Sequence, residues 1–293
     1  MKLRMTVRDC LYLNWALPVE ALPEPPAPLR YQVHTWDGSD WVFASALLFH
    51  QDAVRLAALP VLRVGYPQFN LRFYVLDREG TPSVLFRRML MPGWVAPGVR
   101  LVSHQPACAA RLDFPRPTAD AGDGPWLWKV ECGGTLEVRA WRDMSAVSAG
   151  SAGGGTGDGP RLGSWDDTVR YFQVRLRGYA ENSGGQLRRI DVRRSTASVC
   201  WPLRAEIAGA ERLPDLFRLP AGGFPWPPLH SAWLCPEVPF AFELGLAPKE
   251  VTVAHGMPQP AAGRVAGAWR TKAALRERHV EEEAEPEARR ASC

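Results

Sequence analysis

Asn70-Leu71-Arg72-Phe73-Tyr74-Val75, then the polar turn Asp77-Arg78-Glu79-Gly80, then Ser83-Val84-Leu85-Phe86, is the stretch on which the reading of this chain turns. Its alternation predicts a β-hairpin joining residues 70–77 to 83–89. A strand has a period of two, so Asn70 and Arg72 share one face while Leu71 and Phe73 occupy the other. An amide and a guanidinium side by side suit the gripping of a carboxylate or an enolate. They equally suit the holding of a buried backbone turn. A guanidinium among apolar neighbours must be paired with something. The partner is either a ligand anion, which planar guanidinium fits well, or a structural carboxylate such as Asp113, Asp191 or Glu131.

Working outward, further hairpins appear on both sides. Tyr31–Trp36 and Trp41–Phe49 flank Asp37-Gly38-Ser39-Asp40, which carries the Asp-Gly turn signal. Trp126–Cys132 and Thr135–Trp141 are separated by Gly133-Gly134 alone, and Trp126, Trp128, Val130 and Cys132 alternate with Leu127, Lys129 and Glu131. Asp166–Tyr179 reads as helical at its start, because Asp166 and Asp167 suit the positive end of a helix. Gln186–Arg194 returns to a strand pattern. Trp201-Pro202-Leu203 reads as a rigid corner leading to a short helix through Leu213, and Leu229–Leu246 as the last ordered segment. Residues 145–164 are rich in Gly, Ser and Ala and predict a flexible surface insertion. Many hairpins with two or three helices mean an α+β fold, mainly antiparallel β. The pattern fits a barrel or a sandwich. The expected organisation is a single domain over 1–257, with a charged, disordered tail over 258–293.

Composition excludes several classes of function. The net charge of +4 is mild, and no basic run interleaves with aromatics as a nucleic-acid surface needs. The longest apolar run, Val42 to Phe49, is too short to span a bilayer. Arg8 and Asp9 interrupt the apolar run of a signal peptide. The six cysteines show no CxxC and no Cys/His spacing for zinc. The expectation is a cytoplasmic protein with reduced thiols, without a metal or other cofactor, without nucleic-acid or membrane partners, and free to form a homo-oligomer. Twelve tryptophans suggest packing between sheets, or a cavity with polar handles.

Several motifs, in order from about Tyr12 to Leu244, carry a resemblance. They are Leu13-Asn14-Trp15, Asp37-Gly38 with Trp41-Val42, Leu48-Phe49, Pro67-Gln68-Phe69-Asn70-Leu71-Arg72-Phe73-Tyr74-Val75, Tyr171-Phe172 with Arg175 and Tyr179, and Asp191-Val192 ahead of Trp201-Pro202-Leu203. Together they resemble the YqjF-like bacterial family of unknown function, within the acetoacetate decarboxylase-like superfamily. That family usually has Glu where this chain has Gln68. The resemblance implies a closed, cone-like antiparallel β-barrel with a few flanking helices around an internal cavity. Acetoacetate decarboxylase itself forms a Schiff base through a lysine, kept nucleophilic by a neighbouring lysine. The matching stretch here, His104-Gln105-Pro106-Ala107-Cys108, has Ala107 and Cys108 where those lysines would stand. Lys129 reads as an exposed cross-strand partner of Glu137 or Glu131.

The expected function is binding of a small acidic or carbonyl-bearing molecule in an internal cavity, with Asn70, Arg72, Arg175 and Trp201 as ligand-binding residues. Schiff-base decarboxylation is not expected. Any catalysis would be lysine-independent chemistry on an enolisable acid, with His104 or His230 as proton shuttle. The competing reading is a non-enzymatic structural or interaction protein whose core is filled.

Overall fold

The computed structural model describes residues 2–56, 59–103, 105–117, 122–143, 160–175, 177–182, 184–194, 200–220 and 224–243. The insertion is covered only from Pro160 onward. The charged tail and His104 lie outside the described residues.

Long strands dominate. β1 (Lys2–Pro18) pairs antiparallel with β4 (Ser39–Leu56), and β4 with β5 (Leu59–Leu76). β2 (Arg30–Tyr31) and β3 (Val33–Trp36) are short additions on β5 and β4. β5 pairs with β6 (Pro82–Met91), which completes the hairpin of the opening stretch. Its turn is held by Asp77, whose carboxylate accepts from the backbone N–H of Glu79 and Thr81. The turn between β3 and β4 has positive φ at both Asp37 and Gly38, the primed geometry that matches strand twist. Helix α1 (Ala96–Ser103) and β7 (Ala107–Ala109) follow, with β7 parallel to β6.

The second half supplies β8 (Arg111–Asp113), β9 (Trp126–Glu131) and β10 (Thr135–Arg142). In the β9–β10 hairpin Glu131 pairs with Thr135, so Cys132 joins the two glycines in the loop. Trp126, Trp128 and Val130 are buried, as the alternation requires. Helix α2 (Trp165–Gln173) begins at Ser164, which forms a capping box with Asp167. It stops at Gln173, and Tyr179 lies in β11 (Arg177–Glu181), which pairs with β12 (Leu187–Arg194).

Trp201 and Pro202 open a strand, β13 (Trp201–Ala208), rather than forming a corner into a helix. Proline is tolerated there because it is the second residue of the strand, where few ladder bonds are lost. The expected helix shrinks to a single 3-10 turn at Ala210–Arg212 and α3 (Leu213–Leu216). β14 (Ser231–Glu243) closes the described chain and pairs with β1, β12 and β13.

The architecture is therefore mainly antiparallel β with few helices, as expected. The central strands bury both faces. On one face, Leu11, Leu13, Trp15, Ala44, Ala46, Phe69, Leu71 and Phe73 pack against Trp128, Val138 and Phe217. On the other, Tyr12, Phe43, Leu47, Tyr74 and Trp233 pack under Tyr171 and Phe172 of α2. Arg72 belongs to this second face. No described helix is long and apolar enough to cross a membrane.

Candidate functional site

The face of β1, β4, β5 and β14 beneath α2 should be apolar throughout, yet it carries a line of buried polar groups. The period-two rule places Asn14, Ser45, Arg72 and Tyr74 there, each one position from a residue of the opposite core. Arg72 Nη2 donates to Tyr74 OH at 2.9 Å and to the Phe172 carbonyl at 2.9 Å. Tyr74 OH lies 2.8 Å from Ser45 Oγ, which donates to Asn14 Oδ1 at 2.5 Å. Asn14 Nδ2 donates to Ser231 Oγ at 3.2 Å. Ser231 Oγ lies 3.1 Å from His230 Nδ1, and His230 Nε2 lies 2.9 Å from the Pro160 carbonyl.

These contacts fix a direction. A carbonyl only accepts, so His230 carries its proton on Nε2 and its Nδ1 accepts from Ser231. Guanidinium only donates, so Arg72 heads the chain and His230 ends it. Asn14 sits in the middle, and an amide does not pass protons readily. The chain therefore orients its members rather than relaying a proton.

Arg175 approaches the same place from the end of α2. Its Cζ lies 4.4 Å from the centroid of the Tyr171 ring and 5.1 Å from that of Tyr74, while Arg72 Cζ lies 5.3 Å from the Tyr74 centroid. Arg175 donates to the Val174 carbonyl at 2.8 Å and to Gln32 Oε1 at 3.3 Å. Burial pulls its pKa below the usual range, Tyr171 and Tyr74 oppose this, and the nearby Arg72 charge adds to the fall. Arg72 and Arg175 are only 6% and 8% exposed. Neither has a carboxylate partner among the described residues. Glu131 pairs with Lys129, Asp191 pairs with Arg189, and Asp113 is exposed. The ion-pair explanation of Arg72 therefore fails for all three carboxylates.

Several buried donors on this face lack an acceptor among the described residues. Arg72 Nε, Arg175 Nε, Trp41 Nε1 and Trp233 Nε1 are buried without a hydrogen-bond partner among the described residues. Unpaired buried donors each cost about 1–3 kcal/mol.

His34 shares the Tyr171 ring with Arg175, and His230 stands at the far end of the hydrogen-bonded chain. His34 Nε2 lies 2.9 Å from Tyr171 OH, and burial raises that phenol's pKa well above its ordinary value. Burial, reinforced by Arg175 and His230, lowers His34 to about 4. Burial also lowers His230 to about 4, against the opposing bond to Pro160. Both are neutral at pH 7.

This sets a pH dependence. Unfolded histidine titrates near 6.5, so between pH 6.5 and 4 the unfolded chain binds more protons than the fold and stability falls on acidification. Asp9 acts in the opposite sense. Burial and, more weakly, Asp52 raise it to about 6, while Arg116 and Arg8 oppose. Its contribution is full below pH 3.8 and is lost as pH rises through 6. Two histidines outweigh one aspartate. From pH 7 to pH 5 the urea midpoint should fall, by an amount worth roughly 2 kcal/mol, and Asp9→Asn should steepen the fall. A midpoint that rises on acidification would contradict the neutral-imidazole assignment.

The structure thus brings Arg72 and Arg175 to one tyrosine ring, and joins His230 to Arg72 only through Tyr74, Ser45, Asn14 and Ser231. Asn70 shares the Arg72 face, but its Oδ1 accepts from Gln68 Nε2 at 2.6 Å, and Gln68 is in turn bonded by Gln51. Trp201 is elsewhere. It pairs with Leu234 and packs on the opposite core beneath Arg142, whose Cζ lies 4.0 Å from its ring centroid. His34, Tyr74, Asn14, Ser45 and Ser231 were not singled out by sequence. Tyr74 was detectable by the i+2 rule applied to Arg72. Asn14 was detectable as a polar residue inside Leu13-Asn14-Trp15. His34 had no local signal.

The fold is one that this chain shares with solved acetoacetate decarboxylase-like enzymes. The chain belongs to the DUF2071 family, described as an uncharacterized conserved protein, whose model matches residues 4–213. Solved structures with the same fold include the enduracididine biosynthesis enzyme MppR complexed with pyruvate, at TM-score 0.54 and 14% identity, covering 85% of this chain and 90% of that one. MppR with HEPES bound gives TM-score 0.53 and 13% identity over 86% and 88% of the two chains. An acetoacetate decarboxylase-like enzyme from Sphingomonas wittichii RW1 gives TM-score 0.51 and 14% identity over 85% and 93%. No curated protein sequence matches the chain significantly.

Proposed function

We propose that this protein binds a small acidic or carbonyl-bearing molecule in an internal cavity against Arg72 and Arg175. One observation carries the reading. Two guanidinium groups are buried together with donors to spare and no carboxylate beside them among the described residues. Buried charges without counter-charge are costly, and an acceptor-rich anion would supply both the charge and the missing hydrogen bonds. Asn70, two residues before Arg72, would line the same face. The pairings run from β1 through β4, β5, β6, β11, β12 and β14 back to β1, which supports a closed, cone-like barrel around the ligand. MppR, which shares the fold, has been solved with pyruvate bound. A 2-oxo acid is therefore a sensible first probe.

A second reading has its own support. Arg72 Nη2 already bonds Tyr74 and Phe172, and aromatic rings crowd the site. A scaffold with a filled core would look similar. The two readings separate by mass spectrometry of small acids that co-purify with the folded protein. The binding reading expects a stoichiometric acid in wild type that disappears in Arg72→Met. The scaffold reading expects none.

Catalysis, if present, would proceed without a lysine Schiff base. Ala107 and Cys108 stand in β7. Lys129, the one lysine whose side chain is described, lies at the surface 3.0 Å from Glu131. Incubation with acetoacetate and borohydride should produce no mass increase, since reductive trapping needs an iminium on a lysine. A stoichiometric adduct on any lysine would overturn this part of the proposal.

A further inference from the structure

The pairing of β13 with β14 matches Trp201 with Leu234 and Pro202 with Trp233. Extending that antiparallel register by one residue sets Cys200 opposite Cys235. Directly opposed residues of antiparallel strands have Cα atoms about 4.5–5.5 Å apart, inside the range that a disulfide bridges. The side chains meet as the register requires, with Cys200 Sγ and Cys235 Sγ 2.8 Å apart. Gln173, the last residue of α2, donates from Nε2 to both sulfurs at 3.0 Å. Cys235 is buried and Cys200 is half-buried, so Cys200 is the more accessible residue of the pair.

We propose that Cys200 and Cys235 are a reversible dithiol/disulfide pair, oxidised by a small-molecule disulfide of the glutathione class. The half-buried Cys200 loses its proton and attacks one sulfur of glutathione disulfide. The S–S bond of the oxidant breaks and one glutathione leaves. Cys235 then displaces the second glutathione from Cys200, forming the Cys200–Cys235 bond. The protein loses two electrons and two protons, and the oxidant becomes two molecules of glutathione. Gln173 holds both sulfurs at one point and stabilises the negative charge that develops on them during exchange.

The pair lies beside the cationic site without depending on its role. Gln173 follows Phe172, whose carbonyl holds Arg72, and precedes Arg175 by two positions. Oxidation fastens the start of β13 to β14 where α2 ends. Cys10 sits opposite Cys235 on the β1 side and is also buried. It is the internal competitor for the same bond.

The test uses the full-length protein, reduced and then equilibrated with glutathione disulfide, denatured, alkylated with N-ethylmaleimide and weighed intact. The sequence supplies six cysteines. The expected result is two fewer maleimide adducts after oxidation, a Cys200–Cys235 cross-linked peptide in a non-reducing digest, and full labelling again after dithiothreitol. Cys200→Ser should keep all its remaining thiols alkylatable. Full labelling of oxidised wild type, a glutathione adduct as the end product, or a bridge through Cys10 or Cys293 would each overturn the proposal. Peptide mapping of wild type decides this even if the variant does not fold.

Discussion

Replacing Arg72 or Arg175 with methionine is expected to abolish ligand binding and leave the ligand-free fold intact. Each guanidinium is buried beside the other, with an unpaired Nε and no carboxylate among the described residues. Methionine keeps the length of the side chain and removes the charge. Exchanging buried charges for apolar groups of similar volume is often neutral or stabilising by 1–4 kcal/mol. Truncating one partner of a buried, charged hydrogen bond to a ligand costs about 2–5 kcal/mol. Binding of pyruvate, used as the probe acid, should therefore weaken by about a hundredfold or more in either variant. The urea midpoint of the ligand-free protein should stay level or rise. Titration calorimetry and urea unfolding on the same preparations check both halves. A clear loss of stability in Arg72→Met, from its hydrogen bonds to Tyr74 and the Phe172 carbonyl, would favour the filled scaffold.

Trp233→Ala is expected to have the largest effect on the fold itself. Trp233 on β14 is fully buried and stacks on Tyr12 at 5.1 Å with an interplanar angle of 15°. It also meets Phe172 at 5.4 Å and Trp165 at 5.8 Å. This one ring thus joins the sheet to both ends of α2, the helix that covers the cationic groups. Its loss should cost about 3–5 kcal/mol and lower Tm on the order of ten degrees for a chain this size. Trp36→Ala, at a residue 39% exposed, should change stability by no more than about 0.5 kcal/mol. Comparable losses in both variants would mean that tryptophan content, rather than the position of Trp233, sets stability.

The fold was largely legible because its signals are local. The hairpin of Asn70–Val75 with Ser83–Phe86 formed as read, and so did the burial of Trp126, Trp128 and Val130 on one face. Such signals need only alternation and turn chemistry. The reading failed where a local motif had two outcomes. Trp201-Pro202-Leu203 is compatible with a corner or with a strand start, and pairing with β14, more than thirty residues away in sequence, decided for the strand.

The site was legible only in part. Alternation by itself determined that Arg72 faces away from Leu71 and Phe73, and that a buried cation needed a partner. Sequence could not say which partner, because candidate carboxylates are many and distance is a tertiary property. The structure placed Arg175 over the same tyrosine as Arg72, and recruited Asn14, Ser45 and Ser231 from strands separated by up to 217 residues. It likewise sent Trp201 to the opposite core. What a single strand does follows from its own period of two. Which strands lie side by side, and so which polar groups meet beneath α2, is set by the burial of two apolar faces at once, and only the assembled sheet decides that.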